Sequence, residues 1–358
     1  MRNTLLAGFA SLALALSVGC GMADPVTPSD PGRHVSGTMV DEAGNFAARK
    51  GGDKSDRAAL TALYEATGGK NWTRQDNWLT DAPLHQWEGV RVGYVGHTAG
   101  RVLSLELGTN NLTGKIPAEI GDLTYLVALH LGKNNLTGKI PREVGNLKKL
   151  DMLWLSENDL TGRIPAELGN LIRLRQMYLD HNRLTGSIPS QLGDLSELKE
   201  MRLDHNRLTG KIPPQLGNIR YLQVLNLSSN RLRGAIPATL DKLVTLKKLR
   251  LGDNRLKGKI PTGLFLNRYN CIWELDLGKN RLQGRIPSEI GRHGCLRDLR
   301  LDRNKLAGPL PETFLHLRRL DDFHFGGGGS ACAPNTDDFV AWLDRIENSS
   351  GPFCDDSG

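Results

Sequence analysis

The chain has 358 residues, with 46 Lys and Arg against 39 Asp and Glu, for a formal net charge of +7. That excess is modest for the length and does not by itself imply a nucleic-acid partner. Beyond the N-terminus no segment is apolar and long enough to span a bilayer, and neither a phosphate-cradling Gly loop nor a kinase motif occurs.

In chain order, residues 1–23 read as a secretory signal: Arg2, a short apolar run over 4–19, then small residues. Two processing sites fit. Gly21-Met-Ala23 offers a small-x-small cleavage, and Leu16-Ser-Val-Gly-Cys20 resembles a bacterial lipobox with Cys20 as the lipid-bearing residue. Ser17 departs from the aliphatic residue usual three before that cysteine. Residues 24–52, rich in Pro, Gly, Asp and Ser, read as a flexible tether. An N-terminal cap is expected over 53–100. Its helix runs over 55–67, with Ser55 as cap, Leu60, Leu63 and Tyr64 as the apolar stripe, and Gly68-Gly69 as the stop. Trp72, Trp78 and Trp87 follow and are expected to cover the open end of the core.

Residues 101–325 repeat. Asn110, Asn134, Asn158, Asn182, Asn206, Asn230, Asn254, Asn280 and Asn304 stand 24 apart, save one gap of 26, each in the frame L-x-x-L-x-L-x-x-N-x-L. A period of about 20–29 in this frame means a leucine-rich solenoid. In the rung Leu174 to Leu184, alternation around Met177 and Leu179 predicts a short strand with one buried face. Asn182 then turns the chain, and its amide is placed to satisfy turn backbone inside the coil. No rung buries its own apolar side; stacked rungs bury each other's. Nine such strands at ~4.8 Å make a sheet about 40 Å long.

The second half of each rung reads N-x-L-x-G-x-I-P, as in Asn134-Asn-Leu-Thr-Gly138-Lys-Ile-Pro141. This resembles the plant-type leucine-rich repeat of receptor ectodomains, receptor-like proteins and polygalacturonase inhibitors. The resemblance implies an α/β solenoid: a twisted horseshoe with a parallel concave β-sheet, extra strands beside it, a helical N-cap and a C-cap. The run Trp87-Glu-Gly-Val90 resembles that family's N-terminal cap, but His85 and Val92 stand where the family has cysteines, so the cap disulfide is absent.

Residues 326–358 read as the C-terminal cap, with a helix around 337–346 that turns Phe339 and Trp342 inward. Without Cys20, four cysteines remain. Cys271 and Cys295 share one column on consecutive rungs and are predicted to bridge; Cys332 and Cys354 are predicted to tie the C-cap.

The outward strand column reads Glu106, His130, Trp154, Tyr178, Arg202, Asn226, Arg250, Asp276 and Arg300. Trp154 and Tyr178, beside His130 and Arg202, are the residue types that anchor interfaces. After the ladder asparagines a second column reads Arg183, Arg207, Arg231, Arg255, Arg281 and Lys305, expected to guide an anionic ligand. Asp180-His181 and Asp204-His205 offer imidazole and carboxylate, but duplication of one rung explains the pair, so no metal, cofactor or catalytic residue is assigned. The expectation is an exported, non-enzymatic, monomeric recognition protein, secreted or lipid-anchored at the cell surface. It takes a protein or acidic glycan on the concave face, binds no nucleic acid, and meets the membrane only through an N-terminal lipid. A surface spacer or an inhibitor of a secreted hydrolase are the alternatives.

Overall fold

The computed structural model describes residues 52–266 and 271–355, all within one compact unit. The expected signal sequence with Cys20, and nearly all of the expected tether, lie outside the described residues.

After the first, each rung begins with a three-residue strand whose middle side chain is buried, as in Gln176–Tyr178 around Met177. The ladder asparagine follows and works as expected. Asn182 donates to the carbonyls of Leu155, Leu179 and Asp180 at 3.0–3.2 Å and accepts from the Leu160 amide at 3.0 Å. It therefore closes its own turn and bonds the preceding rung, at a place water does not reach. The return segment carries the glycine. Gly186 sits at φ +78°, and a Cβ there would stand 2.8 Å from Cγ of Arg163 on the rung before. Only glycine tolerates both the backbone angle and the crossing side chain. Proline then opens a short 3-10 turn, Pro189 before Ser190–Asp194, whose Leu192 and Gly193 are buried against the next turn.

Twelve strands form the concave sheet, three more than the asparagine count predicts. Ten parallel rung strands run from Val102–Glu106 to Asp322–His324. Val90–Val92 adds an antiparallel edge at one end and Asn348–Ser350 a parallel edge at the other. Both edges come from the caps, whose strand content the repeat does not announce. Beside this sheet lie the return strands, joined in pairs such as Thr185–Ser187 with Arg207–Thr209 and in a five-stranded lateral sheet from Arg233–Gly234 to Ser330–Cys332.

The N-terminal helix spans Gly52–Ala66, so Ser55 lies inside it and is not its cap; Gly68, at φ +69°, ends it as expected. Trp72, Trp78 and Trp87 are buried, with neighbouring rings 4.8 and 5.0 Å apart. Each indole N–H donates to a carbonyl, of Thr67, Glu88 and Ala82 respectively. At the other end the helix Asp337–Asp344 buries Phe339 and Trp342. Disulfides join Cys271 to Cys295 and Cys332 to Cys354, with Cα–Cα distances of 5.5 and 4.9 Å.

Candidate ligand-binding surface

Strand register places Glu106, His130, Trp154, Tyr178 and Arg202 side by side across five consecutive strands. Because alternate residues face outward, the column that packs nothing inside is free to pack along itself. His130 meets Trp154 edge-on at 4.9 Å, Trp154 stacks on Tyr178 at 5.5 Å with the rings 6° apart, and the Arg202 guanidinium lies 4.5 Å over the Tyr178 ring. All four are half-buried. Hydrogen bonds hold the row at both ends. Glu106 meets His130 Nδ1 at 3.2 Å and accepts from Ser104, and the His130 contact, opposed by burial, holds its carboxyl below the usual range. Glu200 Oε2 accepts from Tyr178 Oη at 2.7 Å and from Arg202 Nη2 at 2.8 Å. Burial first, and Glu200 second, push the Tyr178 hydroxyl above its ordinary value, so it stays a neutral donor. The Trp154 indole N–H is buried without a hydrogen-bond partner.

The six-cation column lies elsewhere. Arg207, Arg255, Arg281 and Lys305 each open a return strand, and the Arg231 amide bonds Leu208 O in the same ladder. The structure thus brings His130, Trp154, Tyr178 and Arg202 together on the concave sheet and puts Arg183 to Lys305 on the flank. Sequence places these columns five residues apart but does not show that the asparagine turn between them changes sheets.

Two features flank the aromatic row. His181 and His205 stack at 4.1 Å, each Nδ1 near its own aspartate, at 3.1 Å to Asp180 and 3.0 Å to Asp204. Among the described residues, His181, Asp204 and His205 are the only trio of potential metal ligands within 4.8 Å of one another. Further along, a shallow depression of about 440 Å³ is lined by Ser228, Gly252, Asp276, Gly278 and Arg300 among others. Asp276 borders it, and burial pushes its carboxyl up to about 6, against the Gly278 N–H it accepts and the nearby Arg300. A Cβ on Gly252 would stand 2.4 Å from Asp276 Oδ2. The sequence signal for this depression was glycine at 252 and 278, where rungs four and five carry Asp180 and Asp204.

Two family models of leucine-rich repeats match, one over 125–147 and 149–171, the other over 172–232 and 196–256. The chain is a plant-type leucine-rich repeat protein. No curated protein gives a significant match to this repeat protein. Among solved structures it is similar to a plant peptide hormone receptor, RGFR1, in complex with RGF2: 35% identity, TM-score 0.54, 65% of this chain and 40% of that one. It is also similar to the ectodomain of the Arabidopsis receptor kinase HAESA in complex with an N-terminally extended IDA peptide hormone: 25% identity, TM-score 0.64, 86% and 54%. A plant ice-binding protein matches at 29% identity, TM-score 0.62, over 85% of this chain and 99% of that one. The repeat protein spans 40% of the length of the first of these receptors.

Proposed function

We propose that this repeat protein is a non-enzymatic recognition protein outside the cytoplasm, and that it takes a protein or peptide along its concave sheet. The observation that carries the reading is the continuous row His130, Trp154, Tyr178 and Arg202, held in place by Glu106 and Glu200. Preorganised aromatic and Arg side chains lose little conformational freedom on binding, which is why they dominate hot spots. Two disulfides suit an oxidising compartment. One of the similar structures is a peptide hormone receptor in complex with RGF2 and another a receptor ectodomain in complex with a peptide hormone, which supports the ligand class.

The ice-binding neighbour suggests no second reading. Thr113, Thr137, Thr161, Thr185 and Thr209 do form a file on the flank. However, Thr137, Thr161 and Thr185 turn their hydroxyls to glycine carbonyls of the preceding rung. Lys115, Lys139 and Arg163 rise from the same face two residues on, so the file is not a flat uncharged plane.

The test is peptide selection on the full chain from a displayed random library. Selected peptides should lose at least thirtyfold in affinity, about 2 kcal/mol, on the W154A/Y178A variant with its thermal unfolding unchanged. Peptides that bind the variant as tightly as the parent would sink the assignment.

A further inference from the structure

The flank of the six rungs from Arg183 to Lys305 is densely cationic. Return segments 183–189, 207–213, 231–237, 255–261, 281–287 and 305–311 hold eleven Lys and Arg and not one carboxylate. That exceeds the net charge of the entire chain, +7, so the remainder is net negative. All eleven cations are exposed. Only Arg183 has a carboxylate partner, Asp159 at 2.6 Å; among the described residues the other ten form no ion pair.

The fold does not ask for this. The same slot holds Asn111, Asn135 and Asp159 in the first three rungs, and those rungs stack as well as the rest. From Arg183 onward the slot is cationic without a break, and the return-strand register sets Arg255 opposite Arg233 and Arg281 opposite Lys257, so cations of successive rungs face each other in a file that runs obliquely across the strands. The stems of Lys211 and Lys259 cross the glycine slots of the following rungs, with Cγ 3.0 and 3.3 Å from where Gly234 and Gly284 would carry a Cβ. Those glycines leave room for a second file to lie flat beside the first. Like charges so aligned repel, and an extended anion relieves all of them together.

We propose that this flank binds a linear acidic polysaccharide, laid across the return strands along the file. Five of the six leading cations are Arg, whose planar fork suits the oxygens of a carboxylate or sulfate. The six segments contain no aromatic residue, so no base could stack there as single-stranded nucleic acid requires. Their large apolar residues, such as Leu208 and Ile212, are buried, so nothing projects to enter a lipid layer. The concave row lies on a different sheet, and the two sites are independent.

The experiment measures binding of the full chain to heparin and to alginate, with oligothymidylate of equal charge number as the competing class. Expected is binding to at least one polysaccharide that weakens steeply with added salt. R231N/R255N/R281N puts into three rungs the residue that the first two rungs already carry at that slot, so folding should survive, as circular dichroism checks. It should lose at least tenfold in affinity and show a shallower salt dependence, while W154A/Y178A binds as the parent does. If the triple variant fails to fold, K211A/K259A on the second file serves the same comparison. Binding of neither polysaccharide, undiminished binding by a folded flank variant, or equal affinity for oligothymidylate would each overturn the assignment.

Discussion

Asp276 shows how a rung's neighbours set the chemistry of a single side chain. Its carboxyl is held near 6 by burial, although Gly278 N–H and Arg300 both favour the charged form. The folded state keeps this proton over the interval in which an unfolded chain has released it. Stability therefore falls as pH rises from about 4 to about 6 and is level above, a loss on the order of 2 kcal/mol. Asp276→Asn keeps an acceptor for Gly278 and removes the charge. It should raise the thermal midpoint at about pH 8 and leave it unchanged at about pH 4. Equal midpoints for the two proteins at both pH values would show that burial does not perturb this group. The position of Asp276 in the outward column was legible from period-2 alternation alone. Its perturbation was not, because that comes from burial that exists only once rungs are stacked, with the carboxylate seated where a Cβ on Gly252 would meet it. Trp154 and Tyr178 were legible for the opposite reason: a strand column in register is by itself a list of neighbours.

At the scale of elements, the N-terminal helix is locked to the first rung by a pair the sequence did not announce. Asp56 is fully buried on the helix. Its carboxylate accepts from Arg101 Nε and Nη2 at 3.0 and 2.9 Å and from the Val102 amide at 2.8 Å. The partners are 45 and 46 residues apart, beyond any local pattern. The apolar stripe Leu60, Leu63, Tyr64 predicted that a helix docks here, but a helical period does not say which polar residue faces the seam. Removing one member of a buried, hydrogen-bonded pair strands the other. Asp56→Ala should therefore cost about 3–5 kcal/mol in denaturant stability, with loss of amide protection first at Val102–Glu106. A change below about 1 kcal/mol would show that the aromatic cluster around Trp78, and not the ion pair, seats the cap.

The whole molecule is a line of coupled rungs, and both of its proposed recognition surfaces depend on that line being closed at its ends. Each ladder asparagine from Asn134 on bonds its own turn and the rung before it, so disruption spreads to neighbours and little further. The C-terminal end is sealed by the helix Asp337–Asp344, the added strand Asn348–Ser350 and the Cys332–Cys354 bridge, which together cover Phe314 and Phe323. The bridge closes 22 residues, for which chain-entropy arguments give about 3 kcal/mol. Cys332→Ser/Cys354→Ser should lower stability by about that amount, but not evenly. Hydrogen exchange should quicken across Asp298–Arg300 and Asp322–His324 while Met152–Trp154 and Gln176–Tyr178 keep their protection. Peptide binding at Trp154 and Tyr178 should then survive a lesion that loosens Lys305 and its end of the cationic file. Uniform loss of protection along the chain would mean that the rungs unfold as one unit, and that the two surfaces cannot be separated by damage to one end.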